Sequence, residues 1–338
     1  MKSLNEMYSK RVNSLVLVYP GGLYYDKAIT KFYDDFIEKY LLYHLPEVKI
    51  ILITKNDTVT NLLQKKFISS NITIKSFSEL GGIWVRDWGP FQVTQKDLSI
   101  IYYKAKYCYE YYPENEKIYG EKDNNAGYEL CDLLSSLNPN TLIEDLDLYL
   151  DGGNLTHNED GTAIITEKLL IDNSSKHSPN QIENVLKSKF GFNKIIFIPV
   201  EPCDVLGHTD GIVRFISKDK LLLAQYPEQY IIGNEYLNQV KDILKRELPS
   251  KIQIIRLQIE QPKDHSSSGV YSAWGNYINF LQVNNKVFFP WYEANNFGEV
   301  SFKTLQTELP KCDIVKIPDV DSLSTNGGVL NCITQTYC

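Results

Sequence analysis

No run in these 338 residues approaches the ~20 consecutive apolar residues that a membrane helix needs. The opening stretch MKSLNEMYSKRVNSLVLVYPGG mixes charges. Its apolar run, Leu15 to Tyr19, is too short for the core of a secretory signal. No membrane partner is expected, and the expected location is the cytoplasm. A basic excess is missing too: 35 Lys and Arg face 42 Asp and Glu, a formal charge of -7 with a pI of 5.4. That balance argues against nucleic acid as the main partner, because phosphate binding needs a basic footprint. It suits a cationic ligand. The cysteines are few and scattered, at 108, 131, 203, 312, 332 and 338, with no CxxC and no zinc spacing to histidine. Without an export signal, thiols are favoured over disulfides. Cys131 falls on the apolar face of AGYELCDLLSSL and reads as core, and Cys338 reads as a frayed end. No linker or low-complexity tract divides the chain.

What is present is ordinary globular composition, 43% hydrophobic and 23% charged, on a chain long enough for a large core. Short apolar runs alternate with helical patterns. AITKFYDDFIEKYLLYHL sets Ile29, Phe32, Phe36, Tyr40 and Tyr43 on one helical face. SPNQIENVLKSKFG starts at Ser178-Pro179, buries Ile182, Val185, Leu186 and Phe190, and stops at Gly191. GNEYLNQVKDILKRELP repeats the pattern with Leu237, Val240 and Leu244. Strands are expected in TAIITEKLLI, NKIIFIPV, GIVRFI and KLLLAQY, and YINFLQVNNKVFFPWY reads as a hairpin turned at Asn284-Asn285.

Five glycine-marked turns punctuate the strands: RDWGP, DGGN, GHTDG, WGNYIN and NGGVLNC. Marked by Asp87, Asp151, His208, Asn276 and Asn331, they lie 64, 57, 68 and 55 residues apart. A loose period near 60 suggests repeated ββαβ units around an axis. A generic α/β chain with unrelated loops is the alternative.

Three of these turns concentrate reactive side chains. Asp87 stands between an arginine and a tryptophan. His208 and Asp210 lie two apart, on one face if the segment is a strand. Cys332 follows a glycine turn and is open to four readings: core thiol, disulfide half, metal ligand or nucleophile. Singly, each motif has a structural reading: an Arg86–Asp87 ion pair pinning a turn, an accidental His-x-Asp, a cysteine acting as a small core hydrophobe. Together they suggest chemistry. A thiol with a pKa near ~8.5 needs a neighbouring cation to become thiolate at neutral pH. One carboxylate would suffice to orient a histidine, so Asp87 is left over. Two carboxylates suit a planar cation rich in N–H donors, and a guanidinium is such a cation. The implied chemistry is attack on a guanidine carbon, loss of ammonia and hydrolysis of a thiouronium.

GIWVRDWGP, DGGN, GHTDGIVRF, GNYINF and GGVLNCIT resemble, in order and spacing, the motifs of the agmatine deiminase and Porphyromonas-type peptidylarginine deiminase family. The resemblance runs from about residue 81 to the end. It implies the pentein fold, a five-bladed α/β propeller of ββαβ-type pseudo-repeats forming one catalytic domain over residues 1–338. It also implies roles: Cys332 as nucleophile, His208 as general acid and base, Asp87 and Asp210 as the carboxylates that grip the guanidinium. Trp84, Asp151 and Asn331 complete the expected substrate-binding set, with plain core as the alternative for Trp84. The expected partner is a small cationic guanidine. No metal or organic cofactor is implied, and homo-oligomerisation is left open.

Three departures bear on the substrate, the first being that the amino-terminal tryptophan motif typical of agmatine deiminases is not visible in VLVYPGGLYYD. Agmatine deiminases usually show Glu-Gly-Gly where this chain has Asp151-Gly152-Gly153. They tend to have threonine where RDWGP has Trp88, and that aromatic is closer to the peptidylarginine side. The leading substrate is agmatine, giving N-carbamoylputrescine, with peptidylarginine or free arginine giving citrulline as the alternative. An amidinotransferase and a catalytically silent binding module are the rival readings.

Overall fold

The computed structural model describes residues 3–4, 11–107, 114–202, 204, 206–261, 272–293 and 296–338. Cys108 and Cys203 fall outside them; Cys131, Cys312, Cys332 and Cys338 are thiols. The chain divides into two compact units, 1–152 with 332–338, and 153–331.

The first unit holds two four-stranded sheets. One has the order Thr334–Tyr337, Ser14–Val18, Lys49–Thr54, Ile72–Ser76, and the last three are parallel. Its central residues, Leu15 to Val18 and Ile50 to Ile53, are wholly buried. Such unbroken apolar runs are what a strand covered on both faces requires. The other sheet has the order Ser3–Leu4, Phe91–Thr94, Ile100–Lys106, Thr141–Tyr149. Its parallel pair, Ile100–Lys106 and Thr141–Tyr149, is joined through the helix Glu114–Leu137.

The second unit holds three three-stranded sheets: Thr156–His157, Thr162–Thr166 and Lys194–Ile198; Val213–Ser217, Lys220–Gln225 and Gln253–Gln258; Leu281–Val283, Lys286–Pro290 and Asp313–Ile317. In each, the first two strands are antiparallel and the second and third parallel, with helix between the parallel pair. Both sheets of the first unit contain the same antiparallel-then-parallel core. Among the described residues the ββαβ unit thus occurs five times. In one of them the leading strand is Thr334–Tyr337, at the far end of the chain from its partner Ser14–Val18.

Several local expectations hold. Pro179–Phe190 is a helix with a Ser178/Gln181 capping box, and Gly191 closes it in the left-handed conformation. Ile231–Glu247 buries Leu237, Val240 and Leu244, and Asn284 turns the hairpin with φ 55.

Others are corrected. Lys27–Asp35 runs into a π-helical stretch, Phe36–Leu41, whose wider turn rotates the apolar face. Ile37 and Leu41 are buried in place of Tyr43, which is 76% exposed. TAIITEKLLI is strand only to Thr166; Lys168–Asn173 is a helix. Cys338 is not frayed: its amide donates to Gln92 Oε1 and its carbonyl accepts from Gln92 Nε2, both at 2.8 Å. Among the described residues no helix is long and apolar enough to cross a membrane.

Candidate functional site

In the first unit, Asp87 sits on a one-turn helix, Val85–Trp88. Val85 and Trp88 lie three apart, on the same side of such a turn, and both are buried, which drives the turn inward. The Asp87 amide bonds to Trp84 O at 3.1 Å and the Gly89 amide to Val85 O at 2.9 Å. The Asp87 side chain is carried to 8% exposure. Trp88 is the core tryptophan of this motif, whereas Trp84 is half-buried. The Arg86 amide donates to Cys332 O at 3.2 Å, tying the carboxylate turn to the thiol turn by backbone. Two residues beyond Cys332 the strand Thr334–Tyr337 begins, and Tyr337 OH donates to Pro90 O at 3.2 Å. Cys332 itself lies in a turn and is 8% exposed.

Asp151 is 6% exposed. The next residue must be glycine: a Cβ on Gly152 would lie 2.0 Å from Arg86 O. Nearby, burial pushes the Lys104 ammonium down to about 8, against the pull of Cys131, Asp151, Asp145 and Asp123.

In the second unit, His208 and Asp210 lie in a turn ahead of the strand Val213–Ser217. The alternation expected of a strand therefore does not orient them. Hydrogen bonds do. Asp210 N donates to Gly153 O at 3.0 Å, and Thr209 Oγ1 to Asn154 Oδ1 at 2.8 Å. Thr166 Oγ1 holds the Gly207 carbonyl at 2.6 Å. Asn276 Nδ2 donates to Gly211 O at 3.1 Å. The Asn331 amide donates to both the carbonyl and Oδ1 of Asn279, at 3.2 and 3.1 Å. Finally, Asn331 Nδ2 donates to Asp210 Oδ2 at 2.7 Å. Asp210 is 7% exposed, Asn331 4%, and His208 half-buried.

The motif turns of this unit are thus laced to one another through backbone and amide groups. Asn154, Thr209 and Asn279 were not singled out by sequence, because their partners lie 52 to 55 residues away. Chemically, the turns of this unit present one nearly buried carboxylate, Asp210, oriented by Asn331, and a half-buried imidazole, His208. Among the described residues no group of three or more His, Cys, Asp or Glu is arranged to hold a metal ion.

Comparison with known proteins gives a consistent set. The family model described as Porphyromonas-type peptidyl-arginine deiminase matches residues 16–337, so the match includes the first sheet, ahead of the first quoted motif. An agmatine deiminase of Medicago truncatula is 26% identical over 215 residues, 56% of each chain. Among solved structures, C. jejuni agmatine deiminase superposes with a TM-score of 0.80 at 21% identity, over 99% of this chain and 95% of that one. Enterococcus faecalis agmatine deiminase gives 0.80 at 18%, over 99% and 95%. At these identities the superpositions establish a shared α/β fold.

Proposed function

The chain belongs to the Porphyromonas-type peptidyl-arginine deiminase family, and on that premise we propose that it hydrolyses the C–N bond of a guanidine group, releasing ammonia and leaving a ureido group. Agmatine is the proposed substrate and N-carbamoylputrescine the product. Support comes from similarity to proteins named as agmatine deiminases in sequence and in fold. Peptidylarginine is a second reading, favoured by the matching family's description and by the aromatic Trp88 in RDWGP.

The proposed mechanism uses only side chains. Asp87 and Asp210 bind the guanidinium, whose charge favours the Cys332 thiolate. The thiolate adds to the guanidine carbon. His208 protonates the departing nitrogen, the C–N bond breaks, ammonia leaves, and an S-alkylthiouronium remains on Cys332. Water then adds to the same carbon as His208 takes its proton. The C–S bond breaks, returning the thiolate and releasing the urea. Asp151 and Asn331 orient substrate and clamp, and Trp84 covers the aliphatic stem. Residues 1–338 act in this reading as one catalytic domain, a five-bladed propeller whose blades are the five ββαβ units, located in the cytoplasm.

The observation that carries the reading is the Asn331–Asp210 bond. That bond fixes the orientation of a nearly buried carboxylate, and the residue that supplies it is the one before the thiol. The test is alkylation with a haloacetamidine, a cationic guanidinium mimic, followed by peptide mass spectrometry. Modification at Cys332, blocked by agmatine, supports the reading. Equal labelling of Cys312 and Cys332 would contradict it.

A further inference from the structure

One buried carboxylate of the first unit has no part in the mechanism above. Asp123, on the helix Glu114–Leu137, is 4% exposed. Its Oδ1 accepts the amide of Gly81 at 2.7 Å and that of Gly82 at 2.9 Å. The two glycines lie flat on this helix: a Cβ on Gly81 would stand 2.2 Å from Tyr119 O, and one on Gly82 3.4 Å from Asp123 Oδ2. From there the chain is held almost residue by residue. The Ile83 amide donates to Tyr25 OH at 3.3 Å, Val85 N to Ile83 O at 2.9 Å, and Asp87 N to Trp84 O at 3.1 Å. No glycine follows until Gly89, so the backbone between the carboxylate's grip and Asp87 has little freedom to absorb a shift.

We propose that Asp123 is a positioning residue: by accepting two successive glycine amides it fixes the GGIWVRDW turn, and through it sets where the Asp87 carboxylate meets the substrate's guanidinium. This rests on the functional reading above. An ionised carboxylate grips amides more strongly than a neutral one, because charge-assisted hydrogen bonds are roughly twice as strong. Burial pushes the Asp123 carboxyl up to about 7, opposed by the Gly82 and Gly81 amides and by the ammonium groups of Lys55 and Lys104. Tyr25, whose phenol carries the Ile83 amide, faces the same carboxyl. Its grip on the turn therefore strengthens as pH rises through neutrality.

The experiment compares alkylation of Cys332 by 2-chloroacetamidine, which is cationic, with alkylation by iodoacetamide, which is neutral. In both, the thiolate displaces a halide and an S–C bond forms, but only the amidine needs the carboxylate clamp. In Asp123→Ala the amidine rate should fall at least tenfold while the iodoacetamide rate stays within about twofold, and kcat/KM for agmatine should fall with the amidine rate. Asp123→Asn keeps an acceptor oxygen and no charge. It should restore most of the amidine preference at pH 6 and lack the rise in preference between pH 6 and 8 expected of the unmodified protein. An unchanged amidine preference in Asp123→Ala, equal loss of both rates, or an unaltered pH profile in Asp123→Asn would each overturn the proposal; the Asn variant suffices if Ala does not fold. An unmodified protein with neither guanidine turnover nor amidine preference would instead overturn the deiminase reading itself.

Discussion

Asn331 Nδ2 donates to Asp210 Oδ2 at 2.7 Å across 121 residues of sequence. The same Asn331 is anchored by its backbone amide to Asn279. One residue thus fixes a carboxylate by its side chain and the approach to the thiol by its main chain. Asn331→Ala should lower kcat/KM roughly tenfold, the worth of a hydrogen bond to a charged group. Asn331→Asp, which sets a second charge against Asp210, should do worse. Steady-state kinetics with agmatine checks the order.

Asp87→Asn and Asp210→Asn keep shape and lose charge. Each also turns an N–H donor toward a substrate that offers only donors. A charge-assisted contact contributes about 1.5–3 kcal/mol, so kcat/KM should fall roughly 10- to 150-fold in each. A neutral urea analogue should bind both variants as it binds the unmodified protein, measured by its inhibition constant.

Gly152→Ala tests the packing of the DGGN turn. Its Cβ would meet Arg86 O at 2.0 Å, and a backbone carbonyl cannot swing aside as a side chain can. Asp151 and the Arg86–Asp87 turn must separate, so kcat/KM should drop at least tenfold while far-UV circular dichroism stays unchanged.

The carboxyl-terminal strand makes a claim on stability. Gln92 exchanges two hydrogen bonds with the Cys338 backbone at 2.8 Å. Gln92→Ala should cost about 1–3 kcal/mol, the range for two neutral hydrogen bonds. Urea unfolding measures it, and the Cys332 thiol, six residues upstream of Cys338, should become more reactive to iodoacetamide.

Stability should also depend on pH through Asp123. Its carboxyl rises from 3.8 unfolded to about 7 folded. The folded state therefore holds the proton more tightly, and that advantage, complete below about pH 4, is lost as pH climbs to 7. Asp123→Asn carries no such term. Its stability relative to the unmodified protein should increase from pH 5 to pH 8 in urea titrations.

Much of this architecture was legible because it repeats. Turn markers 64, 57, 68 and 55 residues apart correspond to five ββαβ units, since each unit needs two strands, a crossover helix and a return. Helices with local signals, Ser178 with Gln181 and Gly191, were legible for the same reason: cap and partner lie within one turn. What local pattern could not reveal was set at a distance. The π-turn at Phe36–Leu41 rotates a helical face that heptad counting would leave in place. Cys338 looked frayed because Gln92, its partner, is 246 residues away. Asp123 is one acid among several on its helix, and nothing beside it marks the glycines 42 residues upstream that it holds. The side chains proposed for the chemistry stand in motifs that the sequence displays, whereas the lacing of the turns around them, through Asn154, Thr209 and Asn279, was not legible.

The central claim is covalent guanidine hydrolysis at Cys332, and the most direct measurement is product analysis on agmatine, free arginine and arginyl peptides with Cys332→Ser in parallel. Ammonia and ureido product should appear one to one, most rapidly from agmatine. The serine variant should lose roughly a thousandfold or more in kcat, because a hydroxyl lacks the thiolate's nucleophilicity. Ammonia from no guanidine tested, or turnover by Cys332→Ser near that of the unmodified protein, would contradict it.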